Sequence, residues 1–242
     1  MDLGLRGKVA LVTAASKGLG RASALALADE GAAVAICARG EEALRQTERD
    51  LATRTDEVTA TVVDITEPAA AARVVEATVE RFGRLDIVVA NAGGPPPGRA
   101  LEVDDDALRA ALEANFLTSV RLVREAVPHM RERGWGRICL ITSFSVKQPI
   151  PTLALSNSAR TALWAWAKTA ASDLFGEGIT LNLACPGHHA TDRMKQLGTT
   201  SDRPFGDPGD FGRVVAFLCS EPAGYVSGAA LQVDGAQTTG LL

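Results

Sequence analysis

An excess of basic charge, closely spaced cysteines and long apolar runs are all missing from this sequence, and each absence removes a class of function. Acidic residues outnumber basic ones by 29 to 25, giving a formal net charge of −4 over 242 residues. A chain so charged carries no electrostatic footprint for nucleic acid, and none is expected as a partner. The four cysteines, Cys37, Cys139, Cys185 and Cys219, stand far apart. They lack the paired spacing of zinc sites and small disulfide frameworks, so reduced, buried thiols and no metal site are expected. No apolar run approaches membrane-spanning length, and the start, running from Leu5 into Lys8–Val12, has no signal-peptide core. A cytoplasmic protein with no membrane partner is expected.

What is present is a regular alternation. Short β-branched runs at Val9–Thr13, Ala33–Ala38, Val58–Asp64, Leu85–Asn91, Arg137–Ser143, Ile179–Cys185 and Ala230–Asp234 read as about seven strands separated by helix-like segments. The runs are nearly continuous in apolar residues rather than alternating, which suits a parallel sheet covered by helices on both faces. Helix punctuation agrees, with Thr66 before Glu67 and Pro68 at a start and Gly83 after Phe82 at a stop. One domain over residues 1–242 is expected at this length. Two loop-like stretches stand out, Gly93–Gly98 and Gly187–Gly209, and the second, roughly 187–209, is the candidate mobile substrate loop.

Directly after the first strand comes Thr13-Ala14-Ala15-Ser16-Lys17-Gly18-Leu19-Gly20, leading into an apolar helix that ends at Glu30 and Gly31. Gly18 lets the backbone approach a pyrophosphate, Gly20 lets the helix pack close to the strand, and the helix N-terminus offers amides and a favourable dipole. The whole is an α/β chain with a Rossmann-type, doubly wound parallel sheet and a dinucleotide site. The second strand ends Cys37-Ala38-Arg39, without the carboxylate that would hydrogen-bond an unphosphorylated ribose. With Lys17 as a second cation, NADP(H) is favoured over NAD(H); the alternative for Arg39 is a solvated charge opening the next helix, near Glu41 and Glu42.

With Asn91-Ala92-Gly93 closing the fourth strand, the chain resembles the short-chain dehydrogenase/reductase family, whose signature segments are T-G-x-x-x-G-x-G and N-N-A-G. The resemblance spans essentially the whole chain. It takes in Asp64, Asn115, Ser143, Asn182 with Pro186-Gly187, and Tyr225-Val226-Ser227-Gly228 through Val233-Asp234-Gly235; Ala14 and Ala90 replace the usual Gly and Asn. It implies that Asp64 and Ile65 flank an adenine and that Asn91, Ala92 and Gly93 line the ribose side. It also implies that the loop after Pro186 and Gly187, with His189 and Thr191, approaches the nicotinamide. Thr13, Ser16, Lys17, Gly18, Leu19, Gly20 and Arg39 complete the candidate cofactor set. A small-molecule substrate and a homodimer or homotetramer are also implied.

The departure lies in the catalytic segment. Family members place a Tyr thirteen residues after the Ser and a Lys four further on, where this chain has Ser156 and Arg160 after Ser143, and its one tyrosine is Tyr225. A serine hydroxyl is a far poorer acid than a phenol of pKa about 10, and it stops well short of the phenol position. Arg160 either contacts cofactor or substrate, or forms a structural ion pair. Ser143 either hydrogen-bonds a substrate oxygen or caps a strand end. Asn115 sits in the apolar stripe Leu108, Leu112, Ser119, Leu122, Ala126 of a long helix, and the resemblance implies support of an internal water; the alternative is a satisfied core asparagine. His188 and His189 are candidate substitute acids or pocket lining, and Lys147 a candidate acid or an exposed loop residue. Trp164 and Trp166 cannot share a helix face, so one is expected packed and the other near the surface.

Three functions fit. The first is an atypical NADP(H)-dependent oxidoreductase on a carbonyl or alcohol, resembling the β-ketoacyl-carrier-protein-reductase-like branch that lacks the usual Tyr and Lys. The others are a non-redox enzyme (isomerase, dehydratase or cyclase) on the same scaffold and a silent NADP(H)-binding sensor.

Overall fold

Strands form where small and β-branched residues run uninterrupted. The computed structural model describes residues 1–241. Its strands are β1 Val9–Thr13, β2 Ala33–Ala38, β3 Val58–Val62, β4 Ile87–Ala90, β5 Gly136–Ile141, β6 Ile179–Pro186 and β7 Ala230–Val233. All pair in parallel in one seven-stranded sheet, in the order β3-β2-β1-β4-β5-β6-β7. The expected Rossmann-type α/β architecture is therefore present. Its strand order reverses between β1 and β4, which opens a crevice at the carboxyl ends of those strands.

Helices α1 Gly18–Asp29, α2 Glu41–Ala52, α3 Ala70–Phe82, α4 Asp105–Leu112, α5 Thr118–Arg131, α6 Ala154–Phe175, α7 Asp192–Gln196 and α8 Pro208–Leu218 cover the sheet. Alternate residues of each strand feed two separate cores. Leu11, Val88 and Leu140 pack with α3, α5 and α6 on one face, whereas Ala10, Val12 and Val89 pack with α1, α2 and α8 on the other. Helices α1 and α8 come close enough that a Cβ at Gly212 would lie 2.4 Å from the Ala22 carbonyl oxygen. All four cysteines are buried and unpaired, as expected, and no helix among the described residues is long and apolar enough to cross a membrane.

Several boundaries differ from the sequence reading, for one physical reason. Strands β3, β4, β5 and β7 stop one or two residues early, before Asp64, Asn91, Ser143 and Asp234, because a polar side chain at a strand end finds partners outside the ladder. Asp64 accepts from the Thr66 N–H at 3.0 Å and its hydroxyl at 2.8 Å. That turn occupies the residues expected to open a helix, and α3 begins only at Ala70. Its end is as expected, with Gly83 at φ 73° donating to Val79. The long helix expected through Asn115 is interrupted by one π-helical turn, Glu113–Leu117, between α4 and α5.

On α6 both tryptophans are half-buried against the same core, contrary to the expected split. At about 100° per residue, Trp164 and Trp166 fall roughly 80° to either side of the buried Leu163–Ala167 stripe, so each is covered along one edge.

Candidate active site

The nucleotide end of the crevice is built by the turn after β1. Thr13 Oγ1 donates to the Asn91 carbonyl at 2.8 Å and receives the Asn91 N–H at 2.9 Å, latching the ends of β1 and β4 together. Gly18 has φ 59°, and a Cβ at Gly20 would lie 2.6 Å from the Ala14 carbonyl oxygen and 2.7 Å from Asn91 Nδ2. No side chain caps α1, which leaves its first-turn N–H groups available to an anion. These features fit a dinucleotide pyrophosphate.

Ala14 stands where the motif has glycine, and its φ of 46° is left-handed. For an alanine that conformation costs about 1–2 kcal/mol, against which glycine loses about 0.4–1 kcal/mol more chain entropy on folding. Ala14→Gly is therefore expected to raise Tm by about 1–4 °C in a thermal melt; a lower Tm would show that the turn is unstrained.

A cleft of about 1250 Å³ runs from this turn across the sheet edge. At one end, Arg39 is 75% exposed, with Nη1 3.6 Å from Asp64 Oδ2. The Asp64 carboxyl is held below the usual carboxylate range, first by the Thr66 N–H and also by Arg39. Ser16, Lys17, Gly18, Leu19, Ile65, Asn91, Ala92, Gly93, Pro186, Gly187, His189 and Thr191 line the same cleft. Thr13 and Gly20, nominated as cofactor contacts, stand behind it instead: one latches two strands and the other lets α1 approach the β1 turn.

At the far end the cleft reaches Asn115, Ser143, Ser156, Arg160 and His188. Ser143 Oγ accepts from the Ser145 N–H at 3.1 Å as the cap of a short 3₁₀ turn, Phe144–Val146. Ser143 thus both caps and faces the cleft. The Asn115 side chain sits in the π-helical turn with Nδ2 donating weakly to Ala111 at 3.4 Å, and its Oδ1 is buried without a partner among the described residues. Protein groups among the described residues therefore do not satisfy this asparagine fully.

Ser156 and Arg160 lie one turn apart near the start of α6, both buried. Arg160 Nη1 donates to the Ile141 carbonyl at 3.0 Å, and no ion pair to it exists among the described residues, so the structural ion pair is absent. Burial, and then the nearby charge of Arg193, lowers its pKa to about 10. Burial also pushes the His188 imidazole below its ordinary value, and likewise that of His189. Burial therefore disfavours the imidazolium form that a substitute acid would use. His189 in addition turns its ring edge-on to Phe211 at 5.2 Å. Lys147 Nζ donates to Gln232 on β7 at 3.0 Å, away from the cleft.

Sequence reasoning missed Arg193. It lies on α7, within the segment read as a loop, because a helix of five residues shows no periodicity. Its Nη2 donates to the Pro95 carbonyl at 2.6 Å, tying this segment to the turn after β4.

Comparison with known proteins places the chain in context. A family model described as Enoyl-(Acyl carrier protein) reductase matches residues 13–238. Human Dehydrogenase/reductase SDR family member 4 is 31% identical, over 96% of this chain and 87% of its own length. Tropinone reductase-like 3 of Erythroxylum coca is 30% identical, over 95% and 92%. Among solved structures, L-sorbose reductase of Gluconobacter frateurii, complexed with NADPH and L-sorbose, superposes with a TM-score of 0.93 at 32% identity, with 100% of both chains covered.

Proposed function

We propose, from the premise that this chain belongs to the short-chain dehydrogenase/reductase family, that it is an atypical NADP(H)-dependent oxidoreductase acting on a carbonyl or alcohol. The observation that carries the reading is Arg160, a buried guanidinium that opens into the nucleotide cleft with no carboxylate partner among the described residues. Support for NADP(H) comes from Arg39 and Lys17 at the opposite end and from the NADPH held by the sorbose reductase relative. The chain is read as one nucleotide-binding domain with residues 187–209 as its substrate loop.

NADPH, when bound, supplies the hydride. The chain's own residues then act on the oxygen of the substrate. Arg160 and the Ser143 hydroxyl donate hydrogen bonds to it as negative charge develops, a preorganised stabilisation. Ser156 leaves space where the family has a phenol, so the proton completing an alcohol comes from solvent. Asn115, through its orphaned Oδ1, orients a donor behind the oxygen. A second reading, a non-redox enzyme on this scaffold, draws on the missing phenol, because positioning and charge alone suffice for isomerisation or elimination.

A carbonyl panel followed at the NADPH absorbance tests both. Stoichiometric loss of NADPH with substrate is expected, and Ser143→Ala is expected to lower kcat by about 10²- to 10³-fold, as for loss of one neutral donor at the oxygen. Substrate conversion with NADPH intact would support the non-redox reading, and nucleotide binding without any turnover would leave a sensor.

A further inference from the structure

Four cations line the cleft, and two of them stand away from the glycine loop. The charged side chains lining it are Lys17, Arg39, Arg160 and Arg193 against Asp64 and Asp192. Both carboxylates already have partners, Asp64 with Arg39 inside the cleft and Asp192 with Lys195, each at 3.6 Å. Lys17 and Arg39 stand at the glycine-loop end, which leaves Arg160 and Arg193 at the substrate end with no ion pair among the described residues. Each makes one hydrogen bond, to the Ile141 and Pro95 carbonyls respectively. Arg160 is only 7% exposed. Two guanidiniums in one partly desolvated space repel each other, and a structure tolerates that where an anion joins them.

The position of Arg193 is built rather than incidental. A Cβ at Gly94 would lie 2.9 Å from its Nη2 and 3.2 Å from its Cζ. Glycine there gives the guanidinium room to lie over the turn after β4, held by Pro95. The apolar side chains Ile150, Leu153, Met194 and Leu197 line that end together with the polar Thr152, Gln196 and Thr199.

Resting on the oxidoreductase reading above, we propose that Arg193 receives an anionic group of the substrate, and that the substrate is a carboxylate-bearing carbonyl compound or alcohol. The planar guanidinium fork matches a carboxylate with two parallel hydrogen bonds. The adjacent Arg160 then meets the reacting oxygen a few bonds away, as in a 2-oxo or 3-oxo acid, and the substrate's charge offsets the repulsion between the two arginines.

Benzoylformate and its methyl ester, nearly equal in shape and differing in charge, are the probes. Titrated calorimetrically into the NADP⁺-loaded protein, benzoylformate is expected to bind at least about tenfold more tightly, as a charge-assisted pair would give. The gap is expected to narrow with rising NaCl, to fall below about threefold in Arg193→Gln, and to survive largely in Arg193→Lys. Equal binding of acid and ester by the unaltered protein overturns the proposal without recourse to any variant. So does a gap that persists in Arg193→Gln, and so does an equal loss of NADP⁺ affinity in that variant, which would assign Arg193 to the nucleotide. Phenyl phosphate binding more tightly than benzoylformate would replace carboxylate by phosphate as the group received. Discrimination between acid and ester without NADPH oxidation sinks the oxidoreductase reading alone; oxidation without discrimination sinks this inference alone.

Discussion

Arg39→Ala is expected to raise the Kd for NADPH by about 10-fold to 100-fold while leaving the Kd for NADH nearly unchanged. A hydrogen bond to a charged group contributes about 1.5–3 kcal/mol, and a 2′-phosphate offers three acceptor oxygens to a guanidinium. Arg39 follows β2 at the rim of the cleft, 75% exposed, and its present partner is Asp64 at 3.6 Å. So exposed an ion pair adds little to folding stability, so the variant keeps its Tm and the loss is confined to the phosphate-bearing nucleotide. Lys17, in the adjacent turn, retains part of the attraction and sets the upper limit on the loss. Fluorescence titration with both nucleotides checks this. If the unaltered protein binds NADH as tightly as NADPH, or if the variant binds NADPH unchanged, the cofactor preference is wrong.

That prediction rests on a residue legible from sequence, and much of the crevice was. The strands β1 and β2 and the glycines between them follow from short apolar runs and a turn whose geometry only small residues allow, so the sequence reading and the structure agree there to the residue. The parallel pairing of the sheet followed from the absence of alternation in the strands. Less visible were features created by polar residues at element ends. Asp64 with Thr66 makes a turn in place of the first turn of α3, and Asn115 sits in a π-helical turn, and neither leaves a mark on hydrophobic periodicity. Thr13 was nominated as a cofactor contact although its hydroxyl is consumed by Asn91; a motif gives a residue's position, not the direction of its hydrogen bond. The largest omission, Arg193, is a long-range fact. Its partner is Pro95, 98 residues away, and only the fold brings the turn after β4 beneath α7.

Arg160→Met is expected to lower turnover by about 10²- to 10³-fold, as for loss of a preorganised oxyanion donor, and yet to make the protein more stable. The guanidinium is 7% exposed and has one carbonyl partner. Its pKa is lowered to about 10, mainly through burial and then through Arg193, which means that the fold disfavours its charge. Methionine has a similar length and no charge to desolvate. Allowing for the bond to Ile141 that is lost at the cleft wall, a gain of about 1–2 kcal/mol is expected, or roughly 2–8 °C in Tm for a chain of this size. The pH dependence has a definite sign. Between the folded pKa of about 10 and the higher ordinary guanidinium value of the unfolded chain, the unfolded chain binds more protons at this site, so the stability of the unaltered protein rises with pH in that window. Below pH 10 the cost is constant; above it Arg160 sheds its proton in the fold and the cost declines. The advantage of Arg160→Met in thermal melts is therefore expected to be full at neutral pH and smaller near about pH 11, while kcat of the unaltered enzyme falls over the same upper range as the donor loses its charge. A Tm that drops on substitution would mean that the guanidinium is held by more than the Ile141 carbonyl and was never an unpaired charge. A higher Tm with turnover preserved would confirm the strain but free the reaction from Arg160, and the oxyanion role would then have to rest on Ser143 alone.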